Sequence, residues 1–144
     1  MMLSLMVITV IGYIGHEELG KAQSDDMNMN PIIMHIHPQF SLIINNTSSA
    51  VPAQIGIDPP LWKDHSLDNY GMQSMPTMNM SAMAPLHTHD NSGIVHGEST
   101  VNRNYTLGEF LNIWGMDLSD KTVQITGNSK PVNNLDYILR KDAL

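Results

Sequence analysis

Two short stretches of this chain carry histidines in pairs. Met34-His35-Ile36-His37 and Leu86-His87-Thr88-His89-Asp90 each set two imidazoles at i and i+2. On a strand, successive side chains point to opposite faces, so each pair shares one face. His96 lies beyond an Asn91-Ser92-Gly93 bend, which can return it to the same region. Two such pairs on neighbouring strands bring four imidazoles together, and neutral imidazole suits zinc, copper, iron or nickel. A lone His-x-His is more often no more than an exposed strand face. The second copy, with Asp90 attached and His96 behind it, is what points to a metal. Asp90 and Glu98 offer carboxylates, either as ligands or as acceptors that fix a histidine tautomer. With zinc and an open position, Glu98 would act as general base toward bound water. His65, in Trp62-Lys63-Asp64-His65, reads as a surface residue more than as a further ligand.

A softer donor set follows from Met72, Met75, Met78, Met80 and Met83, part of a total of 12 methionines in 144 residues. Thioether sulfur prefers Cu(I) and needs no deprotonation to bind it. Methionines that fill a core need a periodic helix or strand to carry them. Pro76 and the surrounding Asn and Ser argue against both, so the loop reads either as a copper contact or as flexible apolar cover or low-complexity drift. Met27, Met29 and Met34 form a smaller group beside the first histidine pair.

Cysteine is absent. That removes disulfides, thiolate zinc sites, iron–sulfur clusters and a cysteine nucleophile, and with them the thiolate of a blue-copper centre. No Ser-His-Asp order, phosphate loop or dinucleotide fingerprint is present. Lys plus Arg number 7 against 14 Asp plus Glu, a formal charge of −7 without a basic cluster. Nucleic acid and an anionic membrane surface are therefore excluded as partners.

These residues need elements to position them. Ile32–Ile44 is rich in Ile, Leu and Phe and reads as one strand, with Asn45–Ser49 as a turn and Ala50–Ile57 as the returning strand. Asp58-Pro59-Pro60 stops that hairpin, because two prolines cannot continue a ladder. Residues 61–85 show no clean period and read as a long methionine-rich loop. Leu86–Val101 supplies two short strands, or one strand bent at Asn91-Ser92-Gly93. Thr106 and Glu109 form a capping box ahead of Leu107, Phe110, Leu111 and Trp114, and Gly115 ends the helix. Lys121–Thr126 reads as a strand, residues 127–130 as a turn and Tyr137–Leu139 as a further short strand. The order implies a single α+β domain, with a largely antiparallel sheet and one packed helix, similar in outline to a β-grasp.

The chain opens on an apolar run, Met1–Ile14, too short for a comfortable membrane span but suited to a secretory signal. Residues 1–22 are expected to be a signal peptide or an N-terminal anchor that tethers the chain to a membrane, and 23–31 a polar linker. Residues 32–144 are then the metal-binding domain. Four Asn-x-Ser/Thr triplets, at Asn45, Asn46, Asn79 and Asn104, are compatible with an external location.

Several stretches resemble a group of small exported proteins of ammonia-oxidising archaea and several bacterial phyla. They are His35-Ile-His37-Pro38, Val51-Pro-Ala-Gln-Ile-Gly-Ile57, Leu86-His-Thr-His-Asp-Asn-Ser-Gly-Ile-Val-His96 and Tyr105–Gly115. The likeness runs from about Met34 onward, and its most specific part is HTHD-x-SG-x-x-H. It implies export, with shared polar residues at His35, His37, His87, His89, Asp90, His96 and Glu98. Two departures stand out. Gly97 replaces the usual apolar residue, and the chain stops at Lys141–Leu144 where the similar proteins continue into a final strand. An unpaired sheet edge is expected there.

The leading expectation is an extracytoplasmic holder of copper, or alternatively zinc, that stores, sequesters or delivers the ion, the last with a partner protein. The other expectations are a zinc-dependent hydrolase or lyase, and a surface module without metal.

Overall fold

The computed structural model describes residues 30–140. The leader, Met27, Met29, nearly all of the linker and the Lys141–Leu144 tail lie outside the described residues. Among those described, no helix is long and apolar enough to cross a membrane.

The expected strand over 32–44 is two strands, β1 (Met34–Ile36) and β2 (Phe40–Ile44), which belong to different sheets. The break falls at His37-Pro38. Proline donates no ladder hydrogen bond, and Pro38 is fully buried with its carbonyl accepting from Val95 N (2.9 Å). The return strand β3 is Thr47–Ser49, earlier than expected, because Asn45 and Asn46 alone make the turn. Both hold positive φ, 50° and 62°, as a two-residue type I′ hairpin requires. Ala50–Ile57 is a run of turns rather than a strand, with Gln54 and Gly56 at positive φ.

The second half follows expectation more closely. Strands β4 (Leu86–His87) and β5 (His96–Ser99) flank the Asn91-Ser92-Gly93 bend. Helix α1 (Leu107–Trp114) starts at Thr106, whose Oγ1 accepts from Glu109 N (3.2 Å), while Glu109 Oε2 accepts from Thr106 N (2.8 Å). It ends at Gly115 in the left-handed region. β6 (Val123–Gly127) turns at Asn128-Ser129 into β7 (Lys130–Val132), a strand that sequence reading missed. The strand expected over Tyr137–Leu139 reduces to one bridge, Ile138 to Thr106.

Among the described residues the fold is α+β with every pairing antiparallel, and the seven strands divide between two sheets. The orders are β1-β5-β4 and β3-β2-β6-β7. One apolar cluster joins them. It contains Phe40 and Leu42 from β2, Leu86, Val95, Tyr105, Ile125, and the inner face of α1, Leu107, Phe110, Leu111, Ile113 and Trp114.

Candidate metal centre

The three-stranded sheet is the platform of the site. β1 pairs with β5 so that His35 lies opposite Glu98 and Ile36 opposite Gly97. That register continues to the Gln39–Ile94 bridge, which sets His37 opposite His96. On the other side of β5, His87 lies opposite His96. Alternation therefore delivers His35, His87, His96 and Glu98 to one face and Leu86, Ile36 and Gly97 to the other. Gly97 has a steric reason: a Cβ there would lie 2.4 Å from Ile36 Cγ1.

The five imidazoles form a continuous chain of neighbours. Ring centroids are 4.5 Å apart for His35–His37, 4.6 Å for His37–His96, 4.5 Å for His96–His89, 5.6 Å for His96–His87 and 4.8 Å for His87–His89. A tetrahedral ion about 2.05 Å from each nitrogen would set such centroids about 5.2 Å apart. The trio His87, His89 and His96 brackets that spacing. Among the described residues, two groups can hold a metal ion, His35-His37-His96-Glu98 and His87-His89-His96, and in each the ligating atoms lie within 4.8 Å of one another. His96 belongs to both.

His87 is the most constrained member, at 1% exposure. Its Nδ1–H donates to the Ala84 carbonyl (2.8 Å), which fixes the tautomer and leaves the lone pair on Nε2. That Nε2 is buried without a hydrogen-bond partner. Burial pushes the ring's pKa down to about 4, so it stays neutral at ordinary pH. His96 is also lowered, first by burial and then by the neighbouring rings of His89 and His37. Neutral rings with free lone pairs are what a metal ion requires.

The backbone on either side of His87 is pinned. Thr88 Oγ1 donates to the Pro52 carbonyl (2.7 Å) and accepts from Ile55 N (3.0 Å). Gly56 packs so closely that a Cβ would meet Leu86 O at 2.6 Å. These positioning residues, Ala84, Thr88 and the 51–57 turns, escaped the sequence reading. The one signal was the Val51–Ile57 stretch, quoted for its resemblance but read as a strand. Beyond His89, Asn91 Oδ1 accepts from Ala53 N (2.8 Å), and Gly93 turns at φ +82° against the Phe40 carbonyl. This bend returns His96 to His89, as expected.

Glu98 Oε1 lies 2.9 Å from His35 Nε2 and 3.8 Å from His96 Nδ1. Asp90 belongs to neither group. Its carboxylate accepts from Ser92 N (2.9 Å), and the hydrogen bonding to Ser92 holds it below the usual carboxylate range. His65 is exposed beside Trp62 and pairs with Asp68 (2.9 Å), again outside both groups.

The methionine loop is partly ordered as a narrow hairpin. Met72 and Met83 exchange two backbone hydrogen bonds, as do Met75 and Met80, with Met78 in the turn between. Such rungs put paired side chains directly across from each other. Met72 and Met75 also line a cleft with Asn30, Pro31, Ile32 and Thr100, and among the described residues no histidine lines it.

No protein-family model, curated protein or solved structure matches the chain.

Proposed function

We propose that this protein holds one transition-metal ion outside the cytoplasm on His87, His89 and His96, with copper as the ion and zinc as the alternative. Storage, sequestration or delivery to a partner protein is its role. The observation that supports the reading most is His87 Nε2, a buried lone pair without a partner beside two other imidazoles. Leaving such a group unsatisfied costs about 1–3 kcal/mol, which a coordinate bond would offset. Copper is preferred on two grounds. Nitrogen sites bind Cu(II) more tightly than Zn(II), and the paired methionines supply thioethers suited to Cu(I). The external location rests on the apolar leader and on the resemblance to exported proteins.

A second reading has one observation in its favour. Three imidazoles leave a fourth position on the ion, and the Glu98 carboxylate stands next to His96. With zinc, that carboxylate would take a proton from bound water, making a hydrolase or lyase.

Metal content by mass spectrometry tests both, using chelator-free protein offered Cu(I), Cu(II) and Zn(II) in competition. About one copper per chain, lost when His89 and His96 become Ala, is expected. Zinc alone, with a cobalt-substituted spectrum that shifts on adding anions, would move the reading to the enzyme. Undiminished metal in the double variant, or none retained by the wild type, would overturn the proposed site; the latter leaves a surface module as the account.

A further inference from the structure

We infer that the histidine cluster is a two-position path, in which an ion lands on His35, His37 and Glu98 at the surface and is handed through His96 to His87 and His89. The inference rests on the metal-holding reading above and assigns a role to the three residues which that reading leaves unused. Four observations carry it.

The two candidate ligand groups overlap in one residue, His96. A neutral imidazole has a single lone pair, the other nitrogen carrying the proton. His96 therefore serves one group at a time, and an ion leaving one group is already bonded to a member of the next. The outer end is the more exposed: His35 and His37 are both exposed, whereas the inner group has one exposed ring, His89, beside buried His87. The His35 side chain is 56% exposed, His96 24%, and His87 1% as a residue. An ion from solvent meets two exposed imidazoles at the His35 end and one, His89, at the inner end.

The two ends also differ in chemistry. The outer group contains the only carboxylate of either set, Glu98, whose charge attracts a cation in advance of contact. The inner group is all imidazole, which favours retention of a borderline or soft ion once the water is shed. They differ finally in rigidity of support. His87 is fixed by Ala84 and the Thr88 clamp, whereas His35 has Glu98 as its polar partner and the His37 ring as its aromatic neighbour. A ligand that is fixed and buried suits holding; ligands that are exposed and few-partnered suit capture and release.

The path predicts a kinetic signature that a single fixed site lacks. Removing the outer ligands slows entry and exit together and leaves the equilibrium nearly unchanged, because the end state is the same. The test uses the full chain and Co(II) as the probe, with uptake followed by stopped-flow absorption and affinity by chelator competition. Neither His35 nor His37 is buried, and neither belongs to the core, so the double variant H35A/H37A is expected to fold. Its uptake and release should both slow by about tenfold or more, with affinity within about threefold of wild type. H89A, also at an exposed position, should take up Co(II) at the wild-type initial rate but hold it more weakly by about 100-fold or more, since a direct ligand counts for more than the outer-shell partners whose loss costs about 10- to 100-fold.

Three results would overturn the path. They are uptake by H35A/H37A at the wild-type rate, loss of affinity in H35A/H37A equal to that in H89A, and two Co(II) ions bound at once to the wild type. The first removes the outer group from the route, the second makes all six residues one site, and the third makes two independent sites. Wild-type protein that binds no metal would instead defeat the underlying reading, so the two failures are distinguishable.

Discussion

His87 combines three features that rarely coincide without a ligand in view: a buried ring, a carbonyl that fixes its tautomer, and a second nitrogen with nothing to bond. Its low pKa ties the stability of the metal-free protein to acidity. The unfolded chain protonates this ring near 6.5, whereas the folded one holds out to about 4, so the unfolded state binds the extra proton between those values. The ring's contribution is fully present above pH 6.5 and is lost as pH falls toward about 4. Over that window, urea unfolding of metal-free protein should show a loss approaching roughly 3 kcal/mol from this residue. H87L removes the titrating group at similar volume, and its stability should fall less steeply between pH 7 and pH 4.5. Parallel wild-type and variant curves would show that His87 is not the linked group. His96, lowered in the same direction, adds to the slope that remains.

At the scale of elements, the central strand β5 does most of the assembly. Its residues alternate so that His96 and Glu98 face the site while Gly97 lets Ile36 close over the other side. The methionine hairpin stands apart as an element with its own donors, in the rungs Met72–Met83 and Met75–Met80. Replacing these four methionines with leucine conserves volume and apolarity, so the fold should tolerate the change at a cost under about 1.5 kcal/mol per site. If the hairpin contacts Cu(I), the quadruple variant should retain less Cu(I) under reducing conditions, measured by competition with a Cu(I) chelator. Its Zn(II) affinity, a property of the imidazoles, should not move. Equal Cu(I) retention would leave the methionines as apolar side chains without a metal role, Met72 and Met75 lining the cleft.

For the molecule as a whole, a ligand that binds only the folded state stabilises it by mass action. Zn(II) at about a thousandfold above its dissociation constant should add about 4 kcal/mol, enough to raise Tm by roughly 10 °C for a domain of this size. Calorimetry with zinc, then with excess chelator, should show the rise and its reversal, and H96A should show neither. A wild-type Tm indifferent to metal would mean that the cluster does not hold the ion in the folded state. The holding ligands come from β4, β5 and the bend between them, so an ion ties two neighbouring strands of the three-stranded sheet together.

Much of this protein could be read from local pattern. The helix was legible because its signals, a capping box, an apolar spacing and a terminal glycine, all fall within ten residues. The histidine pairs were legible because side-chain alternation depends only on i and i+2. The α+β class and the return of His96 by the Asp-Asn-Ser-Gly bend followed in the same way. What escaped was decided between distant segments. Pro38 does not say from its own neighbourhood that the chain will change sheets there, because its partner Val95, and Gly127 that pairs with Phe40, lie far along the sequence. The 51–57 turns looked like a strand because buried Val51 and Ile55 have the right composition, while their conformation answers to Thr88 and Leu86. Which residues meet at His96 was likewise a matter of strand register. Composition and spacing determined that this chain carries metal ligands in pairs; the tertiary structure alone decided that five imidazoles and one carboxylate meet around a shared ring, since pairing between strands is fixed by packing over the whole core.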